Sequence, residues 1–258
     1  MEVLEDKWKK LRLLEEEVSD IIIEDNVSEE LRYKEQRSLV GRMVSSRTIS
    51  REALEATMAK IWRINKAAKF MKVSMNIFVL VFENQEDKLR VWAGRPWLFD
   101  NNMLALREFE AHIPLHRISF DHESFWIRMH NLPLSCMTKE RGVQIGSTVG
   151  KVEEVDVQDD GYGWGSYLRV RVYMNLTQPL ARDRTLEVKG ESVWVPFSYE
   201  KMPRICFSCG CIVHWTNGCC SVLEDSENKE VQYGAWLRAT QFQRVKNSSN
   251  FFRREEGG

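Results

Sequence analysis

The sequence of 258 residues has no long apolar run, and none approaches the ~18 residues that a membrane-spanning helix requires. Its first residues, MEVLEDKWKKLRLLEEE, are too charged for a secretory signal peptide. The sequence therefore predicts an intracellular protein, nuclear or cytoplasmic, that has no membrane partner.

A large net charge is also missing, because the formal charge at pH 7 is only -1. This value argues against a strongly basic nucleic-acid binder. The charge is unevenly distributed, however. The first 30 residues carry 4 basic and 11 acidic side chains, whereas the other 228 carry 33 basic and 27 acidic ones. A mildly basic body behind an acidic leader is compatible with binding a polyanion, although many solvated surfaces have the same composition.

Common catalytic motifs are absent. The sequence has no Asp-Ser/Thr-Gly protease motif, no Gly-x-Ser-x-Gly elbow and no Gly-x4-Gly-Lys-Ser/Thr phosphate loop. The carboxylates in VQDD (157–160) belong to a glycine-rich turn rather than to a polymerase palm. Four histidines, His112, His116, His122 and His130, are too loosely spaced for a local metal set. We therefore expect a protein that is not an enzyme and has no small-molecule substrate.

Cysteine is scarce, but five of the six cysteines lie in CFSCGCIVHWTNGCC, residues 206–220. In a reducing compartment this crowding favours a metal site over disulfides. The spacing Cys206-x2-Cys209-x4-His214-x4-Cys219 supplies three thiolates and one imidazole. Such a set closes a tetrahedral shell around one structural Zn²⁺ and leaves no open position for water. Two more thiols lie outside this pattern and are either bystanders or competing ligands: Cys211 and Cys220.

The spacing resembles that of the retroviral-type CCHC zinc knuckle. In such knuckles the residue after the first cysteine and one just after the histidine form a platform for an unpaired base. Phe207 and Trp215 occupy these positions, and an aromatic face contributes ~1–3 kcal/mol per stacked base. Lys201, Arg204 and Arg238 are candidates for phosphate contacts. The alternative is that both aromatic rings pack against the preceding strand.

Upstream, the hydrophobic periodicity alternates between strand and helix in the order βαββαβ. That order is the split-βαβ plan of ferredoxin-like domains and of the RNA-recognition module. The helix expected at 50–63 has Ser50 as its N-cap and an apolar face of Leu54, Met58 and Ile61.

The third strand departs from the RNA-recognition pattern. In MNIFVLVF (75–82), Ile77 and Val79 occupy positions where stacking aromatics belong. The usual base platform is therefore missing from this domain. Either the sheet face is covered by another element, or the domain binds by charge or contacts protein.

A second α/β unit follows, with a helix in MTKERGVQIGSTVG closed by Gly150 and a hairpin that leads into Cys206. The alternation in SYLRVRVYMN allows Arg128, Arg169 and Arg171 to share one sheet face. The favoured interpretation of that face is a solvated polar surface. The expected fold is α+β, with an RNA-recognition-like (ferredoxin-like) domain, this second unit and a CCHC zinc knuckle.

The order of several sequence blocks resembles one protein family. The blocks include REALEATMAKIWR, FWIRMHNLPL, VGKVEEVD, VWVPFSYEKMPRICFSCGCIVHWTNGC and YGAWLRA. They follow one another as in the plant zinc-knuckle, gag-like proteins related to the first product of LINE-type retrotransposons. The resemblance spans roughly residues 35–240. It implies a plant domain of unknown function followed by a CCHC knuckle, and it implies nucleic-acid binding, with packaging or chaperoning of an element RNA. The expected partner is single-stranded RNA or DNA, with a preference for RNA.

These observations predict five segments: an acidic helical leader (1–34), an RNA-recognition-like domain (35–111), the second α/β unit (112–203), the knuckle (204–221) and a partly disordered tail (222–258). We expect the knuckle to fold separately from the α/β body.

A second hypothesis is a protein-interaction scaffold in which the knuckle is only a structural clip. The leader would then be a self-association helix with four residues on one face: Leu4, Trp8, Leu11 and Val18.

Overall fold

The computed structural model of the chain describes residues 28–214, residue 219 and residues 232–239. The expected self-association face of the leader lies outside the described residues. So do the two knuckle residues Trp215 and Cys220.

Contacts divide the chain into two compact units, Met1–Tyr33 and Lys34–Gly258. The described part of the first unit is the beginning of one helix, Glu29–Gln36, in which no residue is buried. Both sheets and the cysteine-rich segment belong to the second unit. No described helix is long and apolar enough to cross a membrane.

The helices and strands follow one another in this order: α1 (Glu29–Gln36), β1 (Ser38–Met43), α2 (Arg51–Trp62), β2 (Lys69–Ser74), β3 (Ile77–Val81), α3 (Gln85–Ala93), β4 (Trp97–Phe99), β5 (Asn102–Glu108), β6 (His122–His130), α4 (Lys139–Gly146), β7 (Lys151–Asp156), β8 (Tyr167–Asn175), β9 (Asp183–Val188) and β10 (Glu191–Tyr199). The predicted α+β class is confirmed, and all strand pairs are antiparallel. Helix α4 ends at Gly146, four residues before the predicted Gly150.

The first sheet has the strand order β2-β3-β1-β5-β4, which contains the ferredoxin-like arrangement predicted from the βαββαβ pattern. Its extra strand, β4, was not expected from the sequence. It has only three residues, and Trp97 pairs with Leu104 of β5. A three-residue segment is too short to show strand periodicity.

Helix α2 begins as predicted, because the amide of Ala53 donates to the Ser50 hydroxyl at 3.3 Å. Its predicted apolar face is wrong at one position. Ile61 is 42% exposed, whereas Trp62 is buried. The Trp62 ring stacks on Phe70 with a centroid distance of 5.7 Å. Burying the larger aromatic surface turns Ile61 towards solvent.

The two faces of the first sheet pack against different layers. Helices α2 and α3 cover the face that carries Phe78 and Leu80. On the opposite face, Val40 and Ala105 belong to a core that also contains Phe120. Val79 is only 7% exposed on this side. The expectation that another element covers this face of the sheet is therefore confirmed at the centre of the face.

The second sheet has the order β7-β8-β6-β10-β9, which repeats the order of the first sheet strand for strand. A helix, α4, again connects its first two strands. No helix connects its third and fourth strands, where the chain runs through residues 176–182 instead. Alternation along β8 buries Leu168, Val170 and Val172 on the core face.

The cysteine-rich segment packs on this helix-free connection. The amides of Ile212 and Val213 both donate to the carbonyl of Leu176, at 3.2 and 3.0 Å, and the amide of Leu180 donates to the carbonyl of Gly210 at 3.0 Å. Ile212 and Val213 are buried in the same core as the second sheet. The structure thus differs from the expected separate knuckle, because backbone hydrogen bonds and apolar contacts join the segment to the sheet.

Part of the predicted tail is ordered against the second sheet. Residues Ala235–Leu237 form a 3₁₀ turn, and Leu237 is buried. The backbone of Arg238 forms an isolated parallel β-bridge with Tyr199, and the Ala239 amide donates to the Tyr199 carbonyl at 2.9 Å. The rest of the predicted tail lies outside the described residues.

Candidate metal centre and nucleic-acid interface

A tight turn brings the first ligands of the cysteine-rich segment together. The amide of Gly210 donates to the Cys206 carbonyl at 2.7 Å, and the Cys206 amide donates to the Cys211 carbonyl at 2.9 Å. Gly210 has a φ of +77°, a left-handed conformation that favours glycine. A Cβ atom there would also lie 2.3 Å from the Tyr233 ring. Both constraints explain why a glycine follows the second cysteine.

The four predicted metal ligands converge on one point. The ligand atoms of Cys206, Cys209, His214 and Cys219 all lie within 4.8 Å of one another. The Cys206 and Cys219 sulfurs are 3.6 Å apart, and the Cys209 sulfur is 3.0 Å from His214 Nε2. Corners of a tetrahedron with Zn–S bonds of ~2.3 Å are about 3.8 Å apart. The donors therefore suit one four-coordinate ion with a closed shell.

Burial raises the pKa of the Cys209 thiol. Without a cation, this thiol therefore stays protonated at neutral pH. A metal ion reverses that preference, because coordination stabilises the thiolate. The chemistry of the donor set thus agrees with its geometry.

Cys211 lies outside the cluster. Its thiol is buried and donates to the Thr177 carbonyl at 3.3 Å. Of the two thiols that the spacing left unassigned, Cys211 therefore joins the cysteine-rich segment to the second sheet. Cys220 lies outside the described residues.

Of the two predicted platform residues, the structure describes only Phe207. Phe207 is 54% exposed beside the cluster. This exposure disfavours, for Phe207, the alternative that the ring packs against the preceding hairpin. Trp215 lies outside the described residues.

The predicted phosphate contacts are in different environments. The Lys201 ammonium donates to the Gly94 carbonyl at 2.6 Å and lies 4.4 Å from the centroid of the Trp97 ring. Burial lowers the pKa of Lys201. Lys201 is nonetheless exposed, so its predicted phosphate contact stays a prediction.

Arg204 is also at the surface, 64% exposed and 3.7 Å from the Asp100 carboxylate. It lines a cleft of about 520 Å³ that reaches the cluster residues Cys206 and His214. The backbone of Arg238 is held by the Tyr199 strand. Of the three predicted phosphate contacts, Arg204 is thus the one that lines the cleft beside the cluster.

Sequence reasoning brought the three arginines of the second sheet together but missed the aromatic rings between them. The register pairs Arg128 with Arg169 and Trp126 with Arg171, so the three arginines share one face as the alternation predicts. Trp126 and Tyr167 lie on that same face. Because side chains alternate between the two faces of a strand, the same pattern also predicts that these rings share the face of the arginines.

Comparison with known proteins assigns two segments. Residues 32–116 match a domain of unknown function, DUF4283. Residues 174–221 match the zinc knuckle. The second match begins near the end of β8, so it includes the connection on which the cysteine-rich segment packs. The chain thus combines a DUF4283 domain with a zinc knuckle, and the knuckle suggests nucleic-acid binding.

The chain is homologous to an uncharacterized protein of Arabidopsis thaliana. The two are 29% identical over 134 residues, which make up 52% of this chain and 42% of the relative. The match thus spans less than half the length of that relative.

Two solved structures are similar at 13% identity. One is the RNA-binding domain of Hrp1 in complex with RNA, with a TM-score of 0.25, over 63% of this chain and 96% of that one. The other is the first two RRM domains of the yeast poly(U)-binding protein Pub1, with a TM-score of 0.22, over 63% and 98%. The fold assignment rests on the strand order rather than on these scores.

Proposed function

We propose that this protein binds single-stranded nucleic acid, RNA in preference to DNA, through a knuckle that holds one structural Zn²⁺. The observation that carries the proposal is the Cys₃His cluster with the exposed Phe207 ring beside it. A closed four-ligand shell has no open position for a substrate or water, so the proposed role of the metal is structural rather than catalytic.

The proposed binding mode divides the work between aromatic and charged groups. Phe207, and Trp215 with it, would stack on unpaired bases, which requires little sequence preference. Arg204 would contact a phosphate at the rim of the cleft that reaches the cluster. One phosphate contact gives a modest electrostatic contribution. Binding by the knuckle alone is therefore weak.

The biological role that we propose is gag-like. The resemblance to proteins encoded by LINE-type elements supports packaging or chaperoning of an element RNA. Crosslinking to RNA in cells tests this role. Enrichment of retroelement transcripts supports it, and an RNA population without them contradicts it while leaving the binding proposal intact.

One observation favours the alternative of a protein-interaction scaffold. The knuckle residues Ile212 and Val213 are buried in the core of the second sheet, and their amides are bonded to Leu176. A knuckle fixed in this way also serves as a clip that closes the helix-free side of the sheet. In that case zinc matters for folding, and nucleic acid is not a ligand.

A salt titration with and without zinc separates the two hypotheses. Fluorescence anisotropy is measured with a labelled oligouridine of about 16 nucleotides, the upper end of common single-strand site sizes, and with the matching DNA. We expect zinc-dependent binding that weakens as salt rises, and tighter binding of RNA than of DNA. Cys209→Ser, which opens the metal shell, is the matched loss-of-zinc variant. Salt-tolerant self-association without any shift of the oligonucleotide contradicts the proposal and supports the scaffold.

A further inference from the structure

The face of the second sheet that points away from its core carries an organised set of rings and guanidinium groups. Arg169 lies over the Trp126 ring at 3.8 Å, and Arg128 lies over the Tyr167 ring at 4.6 Å. His130 packs edge-on against Tyr167 at 5.5 Å. Planar cations stacked on aromatic rings form a flat and polarisable surface, to which a further planar group can add.

One carboxylate fixes both guanidinium groups. Glu200 accepts hydrogen bonds from Arg128 Nε at 2.8 Å and from Arg169 Nε and Nη2 at 3.0 and 2.9 Å. Asp156 accepts a further bond from Arg169 Nη1 at 3.1 Å. The groups are therefore held in place before any ligand arrives, which lowers the entropic cost of stacking on them.

These ion pairs also balance the local charge. The guanidinium groups of Arg128 and Arg169 face the carboxylates of Glu200 and Asp156. A polyanion gains little here from charge alone, because each cation already has an anionic partner. The surface is suited to stacking, and a ligand that uses it must present planar rings.

The β7–β8 loop adds two exposed rings at the edge of this face. Tyr162 and Trp164 are 39% and 53% exposed and stack with a centroid distance of 5.2 Å and an interplanar angle of 21°. Large apolar side chains that remain exposed beside an organised face mark an interaction surface.

The loop is fixed rather than loosely attached. The Trp164 indole donates to Asp160 at 2.8 Å, and the Gly163 amide donates to the Met137 carbonyl at 2.8 Å. At Gly163, a Cβ atom would lie 2.5 Å from a Leu168 methyl group, so the glycine lets the loop approach the sheet. The exposed rings are thus displayed in a defined orientation.

A cavity of about 340 Å³ connects the loop to the face. It is lined by Trp164, Tyr167 and Arg169, together with the backbone of Gly163 and Gly165. Two rings and one guanidinium group around a shallow opening provide stacking partners for a planar heterocycle. Gly165, where a Cβ atom would meet only the Tyr167 carbonyl at 3.8 Å, leaves room for its edge to approach the backbone.

We infer that this surface, centred on Trp164, Tyr167 and Arg169, is a second binding site for single-stranded nucleic acid, which it would contact through the bases. The inference rests on the proposed function for the class of ligand, because the knuckle lies in the same compact unit. The two sites divide the interaction: bases stack at the second sheet, and the knuckle with Arg204 contributes stacking and charge.

The test uses the full zinc-loaded chain and labelled oligouridine of about 16 nucleotides. Trp164→Leu keeps an apolar side chain but removes the stacking ring, and we expect it to weaken binding roughly fivefold or more. Trp164→Phe keeps a ring and should bind within about twofold of the parent, since a smaller ring still stacks. The slope of affinity against salt should be unchanged, because no phosphate contact is lost.

Trp194→Leu is the matched control. Trp194 is 58% exposed on β10 and pairs with Thr185 of β9, at the opposite edge of the sheet. This variant should bind like the parent. Equal weakening by Trp164→Leu and Trp194→Leu overturns the inference, because it indicates non-specific contacts with exposed rings.

The outcomes also separate the two proposals. If the parent binds and Phe207→Ala weakens binding but Trp164→Leu does not, the second site is contradicted and the knuckle proposal stands. If Trp164→Leu weakens binding and Phe207→Ala does not, the second site stands and the knuckle platform fails. If the parent binds no oligonucleotide, both fail, and the exposed rings are then a surface for a protein partner.

Discussion

The Cys211 thiol donates a hydrogen bond to the carbonyl of Thr177 at 3.3 Å. Thr177 lies in the connection that replaces a second helix in the second sheet. Cys211, which lies between the ligands Cys209 and His214 along the chain, therefore bonds to the sheet side, whereas Cys206 and Cys209 belong to the cluster. The metal site and the sheet share one short segment, and several predictions depend on this arrangement.

Zinc content should distinguish these cysteines. Cys209→Ser removes one of four ligands and should release the metal. Cys211→Ser leaves all four ligands in place, and its hydroxyl can still donate to the Thr177 carbonyl, so this variant should keep close to one zinc per chain. Metal analysis of the purified variants is the measurement. Full zinc in Cys209→Ser would contradict the ligand set unless Cys211 had replaced the lost ligand, which the double variant tests.

Chelation of the zinc should unfold a larger part of the chain than the knuckle alone. Structural zinc supplies ~10–16 kcal/mol of folding free energy in isolated fingers. Because Ile212 and Val213 bond to Leu176 and share its core, loss of zinc should also expose residues 176–182. Hydrogen exchange followed by mass spectrometry measures this effect.

The first sheet is the internal reference in that experiment, since its helix-covered core contains no knuckle residue among those described. It should keep its protection. Loss of protection restricted to residues 206–214 would show that the knuckle folds separately after all.

Two glycines with the same backbone conformation provide a controlled stability test. Gly210 and Gly161 have φ values of +77° and +80°. Alanine at either position should cost about 1–2 kcal/mol of backbone strain. Only at Gly210 would the new methyl group meet a ring, that of Tyr233. Urea unfolding should therefore show a larger loss for Gly210→Ala than for Gly161→Ala. Equal losses would contradict the close approach of Tyr233.

The hydrogen bonds of Glu200 with Arg128 and Arg169 should make part of the folding stability depend on pH in the acid range. Burial opposes ionisation of Glu200, but the hydrogen bonds from Arg169 and Arg128 outweigh it and hold its pKa below the ordinary value of 4.5. A carboxyl with a lowered pKa stabilises the fold above its unfolded pKa, and this contribution is lost as the pH falls through the folded pKa.

Glu200→Gln should therefore lose less stability than the parent as the pH falls through and below the ordinary carboxyl value of 4.5, as measured by urea unfolding. Glu191→Gln, at an exposed position at the start of β10, is the control and should follow the parent. An unchanged pH dependence in Glu200→Gln would show that the network does not couple to folding.

Much of the fold follows from local sequence patterns. Ser50 and the periodicity after it predict α2, and the alternation from Leu168 to Tyr173 predicts both faces of β8. The burial of Trp62 instead of Ile61 was not predictable from spacing, because it depends on a stack with Phe70, which lies on the next strand. Local patterns fix the elements, and packing between elements decides their exact orientation.

The metal ligands were also predictable, because their chemistry depends on residue type and spacing within 14 residues. The attachment of the knuckle to the sheet was not. It uses backbone amides of Ile212 and Val213, and a backbone donor has no residue type to identify it. The same holds for the absent second helix, which becomes apparent only when the strand orders of the two sheets are compared.

Nucleic-acid binding by the knuckle is tested most sharply by the Phe207→Ala, Trp215→Ala double variant, measured for zinc content and for binding of single-stranded RNA together. The proposed function predicts unchanged zinc and RNA binding weakened by a few kcal/mol at most, with the salt slope retained. Zinc retained together with unchanged RNA binding would contradict it, and the knuckle would then be a structural clip.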